Sequence, residues 1–167
     1  AEGGVLSYNE FWYERGVELT SDKRTSLITA PPDGRLPWRE QSRADRGSNR
    51  LNLRNGFADS YTDRSLSDRC LMGFNSGPPM TSGSYNNNVL ILQTPGYVVI
   101  QNEMVHNARI IPIDGGDHGE IRQWVGDSRG HWEGDTLVVE TTNFHSETAA
   151  RGSSQDTQLI ERFRRLD

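Results

Sequence analysis

The feature that most constrains this chain is the stretch from Val89 to Phe144, in which short β-branched and aliphatic runs are separated by turn residues. Val89 to Gln93 and Tyr97 to Met104 are such runs, with Thr94-Pro95-Gly96 between them. Proline presets φ for the second position of a tight turn and glycine accepts the positive φ of the third. Thr94 to Tyr97 is therefore expected to form a type II turn closing a hairpin. A second hairpin is expected to pair Arg129 to Trp132 with Thr136 to Phe144 across Glu133-Gly134-Asp135. Ala108 to Ile113 reads as a further short strand, ended by Asp114-Gly115-Gly116. Leu159 to Leu166 alternates around Phe163 and reads as another, with its arginines near an edge. These ribbons predict a mainly β chain, an antiparallel sheet or partly open barrel built from hairpins in the second half, with long loops and little helix.

Composition agrees with that expectation. Only 33% of the 167 residues are hydrophobic, and 17 glycines and 7 prolines favour turns and long connections. One β-rich domain over 1–167 is expected, with residues 1–88 as a loop-rich layer carrying a short helix and 89–167 as the antiparallel sheet. A net charge of -5 argues against the basic surface that nucleic acid requires, with room left for a local basic patch, and no nucleic-acid partner is expected. No apolar run approaches the roughly 18 residues of a membrane span, so no transmembrane segment of its own is expected. The lone Cys70 has no internal disulfide partner and reads as a small buried hydrophobe.

The first half is less patterned. Tyr8 to Tyr13 is an aromatic cluster suited to packing on the sheet. Thr25 to Thr29 is a short strand candidate, stopped by the turn sequence Pro31-Pro32-Asp33-Gly34. Arg39, Arg43, Arg46, Arg50 and Arg54 recur at spacings that would align them on one helix face, a stripe most simply read as a solvated, ion-paired surface. Residues 70–88 read as a loop ending in Asn86-Asn87-Asn88.

Several blocks together, Tyr8-Asn9-Glu10-Phe11-Trp12, Pro31-Pro32-Asp33-Gly34-Arg35, Gly77-Pro78-Pro79-Met80, Asn102-Glu103-Met104-Val105-His106 and above all Gly126-Asp127-Ser128-Arg129-Gly130 through Phe144, carry a resemblance across almost the whole chain. The chain resembles a family of uncharacterised exported proteins from environmental bacteria. The resemblance implies a periplasmic or secreted setting, an export leader, an upstream segment and at least one further strand beyond Asp167. It brings no activity with it. Where relatives often carry aspartate and arginine, this sequence has Asn107 and His131.

Three sets of residues are candidates for chemistry. Glu103, His106 and Arg109 could act together only if the chain bends near Val105 to Ala108, because an unbroken strand puts Glu103 and Arg109 on one face and His106 on the other. With the bend, Glu103 would orient His106 as a general base and Arg109 would stabilise a developing anion; without it, they belong to an ion-pair network. Asn87 and Asn88 offer amides that could bind a sugar or peptide, although satisfying turn backbone is the simpler role. Trp124 and Trp132 flank Asp127 and Arg129 and could wall a ligand groove or plug the end of a small barrel.

Gly126-Asp127-Ser128 superficially matches the serine hydrolases with a Gly-Asp-Ser-Leu block. Arg129 replaces the leucine and no Asp-x-x-His follows, so a polar turn leading into the hairpin is expected instead. His106, His118, His131 and His145 lack the spacing of a compact metal motif, so no metal site is expected, and no cofactor is specified. Three function classes remain. The first is an exported accessory or binding module ordered by a protein partner or larger complex. The second is a small-molecule or carbohydrate-active hydrolase or lyase using Glu103, His106 and Arg109. The third is a lipocalin-like carrier with Val98, Ile100, Ile110 and Val138 lining a roomy interior.

Overall fold

The computed structural model describes residue 13, residues 16, 18, 20–37, 59–73, 75–148 and 155–166. Six strands follow in chain order: β1 (Val89–Thr94), β2 (Tyr97–Asn102), β3 (Ala108–Pro112), β4 (Asp127–Glu133), β5 (Thr136–Thr142) and β6 (Leu159–Arg164). They form two three-stranded antiparallel sheets, ordered β1-β2-β3 and β4-β5-β6. The fold is thus mainly β, built from hairpins in the second half, and the sheets do not close into a barrel. Among the described residues only short 3-10 turns are helical, and no helix is long and apolar enough to cross a membrane.

Both hairpins form where the turn residues place them. Gly96 takes φ +81°, as the third position of a type II turn needs, and Thr94 pairs with Tyr97. Gly134 takes φ +59° between Glu133 and Thr136, which pair directly. The Gly126-Asp127-Ser128-Arg129-Gly130 block is strand rather than the expected turn. Gly126, at φ +72°, supplies the bend, and β4 already starts at Asp127 because it finds a full antiparallel partner in β5.

The core lies between the sheets. Val98, Ile100 and Ile111 from the first sheet meet Leu137 and Val139 from the second, with Met80, Ile113 and Phe163 packed round them. Gly130 lets the sheets approach, since a Cβ there would lie 2.9 Å from Ile111 Cγ2 and 3.0 Å from Ile113 Cγ2. Side chains therefore fill this interior, and two of the residues expected to line a roomy cavity are elsewhere. Ile110 pairs with Val99 and faces outward, and Val138 lies on the opposite face of β5 from Leu137 and Val139, because side chains alternate along a strand.

In the first half, Thr25 to Thr29 is not a strand. The Ser26 hydroxyl donates to Gly34 O at 2.8 Å and accepts from Ile28 N–H at 3.1 Å, while Gly34 N–H reaches Pro31 O. The segment is folded against its own turn by side-chain bonds that compete with a ladder. Cys70 is exposed, at the left-handed end (φ +54°) of the turn that follows Ser65, so it is not the buried hydrophobe expected. Tyr13 sets its ring edge-on to Tyr85. The arginines from Arg39 to Arg54, and the aromatics from Tyr8 to Trp12, fall outside the described residues.

Candidate functional site

The chain does bend after β2. Asn102 N–H donates to Asn107 O at 2.8 Å, closing a 3-10 turn over Met104–His106 in which Val105 (φ +60°) and His106 (φ +37°) are left-handed. For a β-branched residue such as Val105 that conformation is strained, by about 1–3 kcal/mol. The loop layer braces the turn, with Gly73 so close to Met104 that a Cβ would lie 2.3 Å from its Cγ.

The bend resets the alternation that follows it. Gln101 now pairs with Ala108 and Ile100 with Arg109, so Arg109 shares the face of Ile100 and points between the sheets. Its side chain is 1% exposed, and Nη1 donates to Glu161 Oε2 on β6 at 2.5 Å. Glu103 and His106 stay exposed on the turn, joined by a backbone bond from His106 N–H to Glu103 O. The Glu103 carboxylate accepts from Asn88 Nδ2 at 2.9 Å and from Asn88 N–H at 3.3 Å. Glu103 and Asn88 are thus brought together, whereas Arg109 is directed into the interior away from the turn's exposed surface.

Asn87 closes a loop. Its Oδ1 accepts from Gly83 N–H at 2.7 Å and from Asn75 Nδ2 at 3.2 Å, and its Nδ2 donates to Gly83 O at 3.1 Å. Both ends of the amide are used on the protein itself.

Asp127 is the hub of a second polar cluster. Its Oδ2 accepts from Gly119 N–H at 2.8 Å, lies 3.3 Å from His118 Nδ1 and takes a longer bond from Arg129 Nη2 at 3.4 Å. These contacts tie the connection between β3 and β4 to the start of β4, helped by Asn143 Nδ2 donating to Gly119 O. An Asp–His pair of this kind can hold an imidazole in one orientation. The adjacent Ser128 hydroxyl lies on the other face, buried and hydrogen-bonded to Thr141 Oγ1 at 2.8 Å, which separates it from His118.

The two tryptophans sit at opposite ends of β4 and share no wall. Trp124 stacks on His145 with ring centroids 4.2 Å apart, under the guanidinium of Arg69, which is held by Glu147 at 2.6 Å. Trp132 instead lines an open cleft of about 600 Å³ with Gln93, Gly134, Asp135, Arg164, Arg165 and Leu166. His118, His145, Arg69 and the Arg164–Arg165 pair were not legible as site members. Each meets its partner through a connection or a sheet end that sequence spacing does not encode. Among the described residues no group of three His, Cys, Asp or Glu side chains is placed to hold a metal ion.

The class that this fold defines is an open two-sheet antiparallel β protein with polar clusters at its ends. Comparison with protein-family models, with curated proteins and with solved structures finds no match for the chain.

Proposed function

We propose that the chain is a binding module that docks on a protein partner through β1, in the exported setting its sequence resemblance implies. One observation carries this reading: every residue of β1 is exposed, on both faces and along one edge. Register places Val89 and Ile91 on the core-facing side of the first sheet, opposite Asn102 and Ile100, yet Ile91 is 53% exposed because the second sheet does not reach over it. On the other face Leu90 and Leu92 are 52% and 46% exposed beside Ile110 at 64%. An apolar edge strand without charge, proline or bulge is a surface that monomeric proteins normally guard. Its remaining backbone groups suit strand addition, in which main-chain bonds give affinity and side-chain pockets give specificity.

The placement of Glu103, His106 and Arg109 gives catalysis no comparable support, since one of the three is committed to an interior ion pair. The test is amide exchange on the protein in its native source complex compared with the purified chain. Slowed exchange at Ile91 and Gln93, whose N–H groups point away from β2, is the expected result in the complex. A protein that runs as a free monomer in native extracts, with the same β1 exchange as the pure chain, would defeat the proposal.

A further inference from the structure

If β1 is the docking strand, as proposed above, its surroundings constrain what docks. Val89–Thr94 carries no charged side chain, nor does β2, and the one charge in β3, Arg109, is turned inward. A partner segment lying along β1 therefore meets uncharged, apolar surface on both of its faces. At the end of β1 this changes. Gln93 opens onto the cleft that holds Trp132, Arg164 and Arg165. Among the described residues Asp135 is the only one with a carboxylate that lines it, against the two guanidiniums. Among the described residues, neither Arg164 nor Arg165 makes an ion pair, while Arg162 on the same strand reaches Glu133 at 3.5 Å. The cleft thus offers positive charge and an aromatic wall where the apolar track ends.

We infer that the partner is an extended segment with acidic residues followed by an uncharged, alternating β-branched run, added antiparallel to β1 with its acidic end in the Trp132–Arg164–Arg165 cleft. Antiparallel pairing continues the ladders already present in this sheet and is the more stable arrangement per residue. In that direction the N-terminal end of the added strand lies beside Thr94, which is why the acids come first. A second copy of β1 fits less well. The residues that precede β1 are Tyr85-Asn86-Asn87-Asn88, which would bring no carboxylate to the arginines. Guanidiniums recognise carboxylates through paired N–H donors, so the acidic leader sets direction and register while the apolar run supplies contact area.

The experiment titrates the full chain with a short capped peptide of two glutamates followed by alternating valine and threonine. Its counterparts replace the glutamates by lysines or move them to the C-terminal end. Binding is read by calorimetry and location by amide exchange. The expected result is slowed exchange at Ile91 and Gln93, the outward amides of β1, with the lysine and reversed peptides each about tenfold weaker, a difference of about 1.4 kcal/mol. The double variant Arg164→Glu, Arg165→Glu is expected to prefer the lysine peptide. Both side chains are exposed, and circular dichroism confirms that the variant is folded. Equal affinity for the three peptides with β1 still protected would overturn the acidic leader and leave docking at β1 standing. Protection confined to the Asp127 cluster, or self-association that shuts every peptide out of β1, would overturn the inference. Loss of the docking proposal itself is read separately, from the native complex.

Discussion

Arg109 on β3 and Glu161 on β6 are joined at 2.5 Å across the interior, with the guanidinium 1% exposed. Two of its nitrogens, Nε and Nη2, have no hydrogen-bond partner among the described residues. The pair links the two sheets beside an otherwise aliphatic core, where desolvation opposes the attraction between the charges. Removing one partner leaves the other charge buried and alone. Glu161→Ala is therefore expected to cost about 3–5 kcal/mol. Replacing both residues, Arg109→Met with Glu161→Leu, should return most of that loss. Urea unfolding of the two variants checks the difference; a double variant as weak as the single one would contradict this account.

Gly130 leaves room for side chains of the facing sheet. A methyl group there would press on Ile111 and Ile113 at 2.9 and 3.0 Å. Gly130→Ala is expected to destabilise by about 1–3 kcal/mol through overpacking, visible as a lower thermal midpoint. Trimming Ile113 to Val in the same chain should relieve part of the strain.

Asp127 gathers Gly119, His118 and Arg129. Asp127→Ala should free the connection before β4 and cost about 1.5–3 kcal/mol, the range for bonds to a charged group. Faster amide exchange at Gly119, with the β1–β2 hairpin unchanged, is the expected signature. Loss of exchange protection throughout the core would show instead that Asp127 holds the whole fold.

Leu92 contributes little to the folded chain because nothing described covers its face. Leu92→Lys is expected to change stability by no more than about 0.5 kcal/mol while abolishing docking at β1. Denaturant midpoint and partner binding, measured side by side, separate the two effects. A large drop in stability would mean that β1 is packed in solution.

Buried hydroxyls give a further check on the Gly-Asp-Ser block. Ser128 and Thr141, paired across β4 and β5, satisfy each other at 2.8 Å. Ser128→Ala should cost about 1–3 kcal/mol by leaving Thr141 unpaired, and Ser128→Ala with Thr141→Val should cost less than the single change. A serine-directed phosphonate is expected to leave the native chain unlabelled.

The local rules of the chain were legible where backbone chemistry acts on neighbouring residues. Pro95-Gly96 and Gly134 set two turns, and alternation in β2 and β5 marks which residues pair across each hairpin. The Thr25–Thr29 segment departs from the expected strand because Ser26 bonds to the turn at Gly34, a contact that no propensity for strand reveals. Candidate residues were legible as polar groups but not as partners. Asn88 finds Glu103, Asp127 finds His118, and Trp132 finds the arginines of β6 only after the connections fold.

Arg109 shows where the boundary lies. Sequence by itself determined that a β chain would run through its position, because branched side chains and turn residues act within a few bonds of one another. Only the tertiary structure decided that Arg109 faces inward toward Glu161. The left-handed turn at Val105 and His106 shifts the register by which β3 meets β2, and in a ribbon with a two-residue period that shift exchanges the faces.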